Sequence, residues 1–295
     1  MKLNPFNTKI GLALGGGAAK GIAHIGVLKA FEEEKVKISY LSGTSIGALV
    51  AAYHAFGKSS DEIMKVGREL SFSKVANFTL RKRGFFTTDS IKNIILRDLG
   101  DINIEDSQIP LAIIATDIST GEKIVFKHGN LIKAVCASVA VPGAYVPIEH
   151  EGRLLVDGGI TENVPVSVLP DMGAGIVVGI DLNGVHKYPE PQDFMGVLGN
   201  AFDIAIDLRT RDQLKKADIV VSLDLSDYSR LGNVDNAQDL FMEGYMPMKN
   251  KIAEVLWYKR TNLVQIIIKA IKELVPLKVP QIIKDYKEKI PKIEI

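Results

Sequence analysis

The sequence predicts an α/β fold with a mostly parallel, helix-covered sheet, and three observations carry that expectation. Apolar runs of strand length alternate with longer helical patterns. The runs are near-continuous in Ile, Leu and Val, as strands buried on both faces are. Two of them end in glycine-rich turns that lead straight into helical stretches, "LALGGGAAKG" and "LSGTSIGAL".

The first strand is "KIGLAL" (9–14), followed by a helical pattern over 18–34. "KISYLS" (37–42) is the second strand, and helices follow over 45–56, 59–70 and 88–99. "PLAIIATDI" (110–118) is a third strand and starts a hairpin that turns at Thr120-Gly121. A helix over 130–140 comes next, then a second hairpin that turns at Glu151-Gly152; both hairpins add antiparallel strands at the edge of the sheet. "GIVVGIDL" (175–182) and "DIVVSLDL" (218–225) complete the buried strands, with a long helical stretch after residue 193.

With 295 residues, 46% of them hydrophobic and 24% charged, the chain can bury a full core. Its 36 basic and 35 acidic side chains leave a net charge of +1, so no global field favours nucleic acid. The single cysteine, Cys136, lies in the apolar run "AVCASVAV" and reads as a core thiol. The first residues are too broken by Pro5 and the glycines for a signal peptide, and no run reaches the ~18 apolar residues of a spanning helix. The expectation is a soluble, cytoplasmic protein. Residues 1–260 are expected to form one domain and 261–295 an appendage, which has seven lysines against four acids, the helix-like run "NLVQIIIKAIKEL" and three prolines.

Two turns are candidates for chemistry. In "LALGGGAAKGIAH", consecutive glycines between strand and helix expose backbone N–H groups to an anion. The spacing Gly15, Gly17, Gly21 and the absence of an acid after the next strand disfavour a dinucleotide, and Lys20 followed by Gly21 excludes a P-loop. A transient oxyanion is the ligand that remains. In "GTSIG", Gly43 and Gly47 flank Ser45 between strand and helix, the arrangement that lets a serine project from a sharp turn as a nucleophile.

Ser45 needs a base. Of five histidines, His24 and His54 fall within helices, His128 and His150 within hairpin segments, and His186 alone on a loop after a strand. Carboxylates at strand ends, Asp117, Asp157 and Asp181, are the alternative. Asp157 is set apart by the two glycines that follow it, but residue chemistry alone leaves the choice open.

Three ordered blocks, "LGGGAAKGIAHIGVLKAFEE", "GTSIGALVAAY" and "AVCASVAVPGAYVPIEHEGRLLVDGGITENVPV", resemble the bacterial patatin-like phospholipases, lipid acyl hydrolases with a Ser–Asp dyad. Together they span Leu14 to Val166, over half the chain. The resemblance implies a three-layer α/β/α fold, Ser45 as nucleophile and Asp157 as general base. It also implies an oxyanion hole from the N–H groups of Gly16, Gly17 and Ala18, with Gly43, Gly47, Gly158, Gly159 and Lys20 supporting the motifs. Ala18 stands where the family commonly has glycine, so a left-handed conformation there would be strained.

The implied activity is ester cleavage of the phospholipase A, lysophospholipase or carboxylesterase type, without cofactor or metal, on a phospholipid or other fatty-acyl ester. Residues 72–86, with Phe72, Phe78, Phe85 and Phe86 among Lys74, Arg81, Lys82 and Arg83, suit peripheral contact with an anionic inner membrane surface, as does the Lys-rich tail. Rival readings are a soluble thioesterase or acyltransferase using the same dyad, and a non-enzymatic lipid-binding module.

Overall fold

The computed structural model describes residues 8–72, 78–81, 84–185, 187–188, 190–228 and 236–274. In chain order its strands are β1 (Ile10–Leu14), β2 (Ile38–Thr44), β3 (Phe78–Arg81), β4 (Gly84–Phe86), β5 (Leu111–Asp117), β6 (Lys123–Phe126), β7 (Ile148–His150), β8 (Arg153–Asp157), β9 (Ile176–Asp181) and β10 (Ile219–Ser222). The helices are α1 (Ile22–Glu33), α2 (Ile46–Ala55), α3 (Ser60–Phe72), α4 (Asp89–Asp98), α5 (Leu131–Ser138), α6 (Gly159–Glu162), α7 (Leu169–Met172), α8 (Phe194–Leu214) and α9 (Ala237–Leu274). All five buried runs read from the sequence are strands. The helical pattern from residue 18 begins as a 3₁₀ turn, Ala18–Gly21, before α1.

Strands β10, β9, β1, β2 and β5 lie side by side in that order and run parallel. Both expected hairpins form: β6 is antiparallel to β5, and β7 to β8, with β8 also antiparallel to β5. Side chains divide between the faces of this sheet with period two. Ile10, Leu12 and Leu14 of β1 join one apolar cluster with residues of α1, α2, α5 and α9, whereas Ala13 packs on the opposite face with Val164, Val166 and Leu169. In β5, Leu111, Ile113 and Ala115 face the first cluster, and Ala112 and Ile114 face away. Helical layers on both faces make the fold a three-layer α/β/α sandwich, and they explain why the strands read as continuous apolar runs.

Helix α9 crosses α1 where two glycines face each other's backbone. A Cβ on Gly26 would stand 2.0 Å from the Phe241 carbonyl oxygen, and one on Gly244 would stand 1.8 Å from that of Ala23. The Tyr245 hydroxyl adds a 2.6 Å hydrogen bond to Glu33. Helix α9 continues through residue 261, and residues 275–295 of the expected appendage lie outside the described residues. So do Lys74, Lys82 and Arg83 of the 72–86 segment, whose described backbone includes the antiparallel ribbon β3–β4. Among the described residues, no helix is long and apolar enough to cross a membrane.

Candidate active site

The register of β5 brings the two ends of the site together. Ile114 pairs with Thr44 of β2 and with Val125 of β6, while Ala115 pairs with Asp157 of β8 and with Ile124 of β6. Because β6 takes one edge of this stretch of β5, Thr44 and Asp157 must share the other edge at consecutive positions. β2 runs parallel to β5 and β8 antiparallel to it, so their carboxyl ends meet head-on. The residues there are Ser45, next after Thr44, and Asp157. At the same level Leu14, the last residue of β1, pairs with Gly43 and delivers the glycine loop beside Ser45.

Ser45 sits at φ 54°, ψ −126°, a conformation that side chains rarely adopt and that stores roughly 1–3 kcal/mol of strain. Packing holds it there. Its N–H donates to the Ser138 hydroxyl at 2.9 Å, and that hydroxyl donates to the Ile114 carbonyl at 2.6 Å. Neighbouring Thr44 donates to the Glu162 carbonyl at 2.8 Å. The turn is tight enough that a Cβ on Gly47 would stand 2.1 Å from the Leu14 carbonyl oxygen. Helix α2 starts at once after Ser45, so its free N–H groups and positive dipole end face any charge that develops at the serine.

Asp157 is 6% exposed, accepts a 2.7 Å hydrogen bond from the Gly159 N–H, and lies near enough to the Ser45 hydroxyl for that dipole to favour its ionised form. Desolvation outweighs both influences and raises its pKa to about 6, well above the usual carboxylate range. The segment that carries it is pinned on several sides. The Asp157 N–H donates to the Ala140 carbonyl at 2.9 Å, the Arg209 guanidinium to the Ile160 carbonyl at 3.2 Å, and buried Glu162 pairs with Lys123 at 2.7 Å. A Cβ on Gly158 would stand 2.3 Å from the Ile114 carbonyl oxygen, so only glycine fits beside β5 there.

The glycine loop departs from expectation at Gly16. Its N–H donates to the Asn163 carbonyl at 3.1 Å and is already spent, whereas no described residue accepts from the N–H of Gly17 or Ala18. The loop therefore offers two N–H donors where three were expected. Ala18 does adopt the left-handed region, at φ 52°. Substituting Ala18→Gly should raise stability by about 1 kcal/mol by removing that strain, read as a higher denaturation midpoint with an unchanged slope. Lys20 is buried beneath the loop, close enough to Asp224 for its charge to be felt there.

His24 is fully buried in α1, and its Nε2 hydrogen-bonds the Gly15 carbonyl at 2.7 Å, fastening the loop from below. Burial lowers its pKa to about 4, so it is neutral at pH 7. His54 bonds the Lys58 carbonyl at 3.3 Å, His150 packs against Phe126, and His128 is exposed. His186 lies outside the described residues. Asp117 and Asp181, the other strand-end carboxylates, accept bonds from the N–H groups of Ser119 and Asn183 in local turns. Cys136 is a buried core thiol. Among the described residues, no three His, Cys, Asp or Glu side chains cluster to hold a metal.

Sequence reasoning missed Ser138, Asn163 and Gln213. Gln213 clasps the Asp157 segment through the Asn163 N–H at 3.2 Å and the Thr161 carbonyl at 2.9 Å. Their partners lie 24 to 147 positions away along the chain, so no local motif marked them.

The site thus sets a serine on a strained strand-to-helix turn of an α/β fold, close to a buried carboxylate and to backbone N–H groups that no described residue accepts from. The family model for patatin-like phospholipases matches residues 12–170, over half the chain, and this protein belongs to that family. It is 34% identical over 184 residues to an uncharacterized NTE family protein of Mycobacterium tuberculosis, covering 61% of this chain and 51% of that one. It is 36% identical over 181 residues to human patatin-like phospholipase domain-containing protein 6, covering 59% of this chain and 13% of that one. The chain thus spans about half or less of the length of these relatives. Among solved structures, VipD from Legionella pneumophila shares the fold, with a TM-score of 0.51 at 14% identity over 85% of this chain and 67% of that one.

Proposed function

We propose that the protein is a lipid acyl hydrolase that cleaves carboxylic esters through a Ser45 acyl-enzyme, with Asp157 as the general base. The observation that carries this reading is the β5 register, which sets Ser45 on its strand-to-helix turn head-on against Asp157, a buried carboxylate whose pKa lies near 6. A buried carboxylate of that basicity can take a hydroxyl proton far better than one near 3.9.

In the proposed cycle the Ser45 oxygen attacks the acyl carbonyl while its proton passes to Asp157. The N–H groups of Gly17 and Ala18, with that of Ile46 at the start of α2, hold the oxyanion. The tetrahedral intermediate collapses, and the departing alcohol oxygen takes the proton back from Asp157. Water then attacks the acyl-enzyme and gives a proton to Asp157, and that proton returns to Ser45 as the fatty acid leaves. No step needs a histidine or a metal. In this reading the protein is cytoplasmic and meets lipid peripherally through residues 72–86 and the Lys-rich tail.

Fatty-acid release from phospholipid and lysophospholipid should therefore exceed hydrolysis of water-soluble short-chain esters and of acyl thioesters. Because Asp157 must be ionised to accept a proton, kcat/KM should fall on the acid side with a single ionisation near pH 6. A flat profile from pH 5 to 8, or a preference for soluble thioesters, would count against it.

A further inference from the structure

Asn163 is 5% exposed, and its side-chain Nδ2 is buried without a hydrogen-bond partner among the described residues. Its backbone, by contrast, is held at both ends: the carbonyl accepts from Gly16 at 3.1 Å and the N–H donates to Gln213 at 3.2 Å. The carboxamide oxygen lies beside Gly16 and Gly159, the two glycines that adjoin Ser45 and Asp157. A Cβ on Gly16 would stand 2.7 Å from Asn163 Oδ1 and 3.3 Å from Ser45 Cβ, and one on Gly159 would stand 3.1 Å from Asp157 Oδ1 and 3.4 Å from Asn163 Oδ1. Glycine at position 16 is what leaves room for this side chain.

A buried donor without an acceptor costs free energy, so a well-packed fold keeps one where a ligand supplies the acceptor. The carboxamide adjoins the glycines beside Ser45 and Asp157, so a substrate held at the serine is the ligand nearest to this donor. We propose that Asn163 is a catalytic residue whose Nδ2–H donates to the oxyanion formed on the substrate carbonyl. The same residue that occupies the Gly16 N–H through its main chain replaces that donor with its side chain. The hole then has the N–H groups of Gly17 and Ala18 on one side and a fixed amide on the other, all set before charge develops.

This inference rests on the ester-hydrolase reading, and the experiment separates the two. Wild type, Asn163→Ala and Asn163→Leu are compared for fluorophosphonate labelling of Ser45, for kcat and KM on lysophospholipid, and for thermal midpoint. Leucine matches asparagine in shape but has no donor. Both variants should lose about 10²-fold or more in kcat while KM stays within about threefold, the signature of an interaction made only in the transition state. Their thermal midpoints should be unchanged or higher, because Nδ2 gives up no protein partner. A kcat within about threefold of wild type in both variants overturns the proposal. So does a joint loss of kcat, KM and thermal midpoint, which would mark a structural role. A wild type that neither labels nor hydrolyses would instead overturn the hydrolase reading, and this inference with it.

Discussion

Replacing Asp157 with asparagine should lower kcat by about 10³-fold or more and at the same time make the protein more stable at pH 8. The activity loss follows from removing the buried carboxylate that the β5 register sets head-on against Ser45. The stability gain follows from linkage. The folded pKa of Asp157 is about 6 against 3.8 for a free aspartate, so its ionised form is disfavoured by the fold. That difference of about 2 units corresponds to about 3 kcal/mol of destabilisation above pH 6, and it is relieved as pH falls from 6 toward 3.8.

His24 contributes the opposite trend. Its folded pKa of about 4 lies below the 6.5 of a free imidazole, so the stability of its neutral form is full above pH 6.5 and declines as pH falls toward 4. In wild type the two trends offset each other between pH 6 and 4. In Asp157→Asn the His24 trend is uncovered, and the variant should be more stable than wild type at pH 8 but lose stability more steeply on acidification. Denaturant unfolding of both proteins at pH 8, 6 and 4.5 checks this, and parallel stability curves would refute it.

Gly47→Ala should cost about 3 kcal/mol or more and abolish most activity, although it adds one methyl group. The new Cβ would lie 2.1 Å from the Leu14 carbonyl oxygen and 2.6 Å from that of Gly15. Both obstacles are backbone, and a strand buried at the middle of the sheet cannot step aside. Helix α2 must move away from β1, taking Ser45 from the glycine loop that faces it. A lower urea midpoint with an unchanged slope, together with reduced kcat in the fraction that remains folded, is the expected result. A variant as stable and active as wild type would show that the turn is looser than described.

The features legible in the sequence were those encoded by local pattern. Runs such as "PLAIIATDI" and "GIVVGIDL" carried their strand identity in continuous β-branched content, and Gly121 and Gly152 marked the hairpin turns. Ser45 was legible as a candidate because Gly43 and Gly47 flank it, whereas Asp157, with glycines only after it, was singled out from Asp117 and Asp181 by the family resemblance. What was not legible depended on pairing across the chain. That Thr44 and Asp157 occupy consecutive places on one edge of β5 follows from where β6 lies, which no segment states by itself. Likewise, nothing in "GGGAAKG" reveals that Asn163, 147 positions after Gly16, takes the Gly16 N–H. His24 read as an ordinary helical residue, and only the fold shows it gripping the Gly15 carbonyl from beneath the loop.

The central claim is that Ser45 is a nucleophile activated by Asp157. Mass-spectrometric peptide mapping of a fluorophosphonate probe on wild type and Asp157→Asn tests it most directly. The expected result is phosphonylation of Ser45 in wild type that collapses in the variant while both proteins remain folded. Equal labelling in the two proteins, or labelling at a residue other than Ser45, would contradict the dyad.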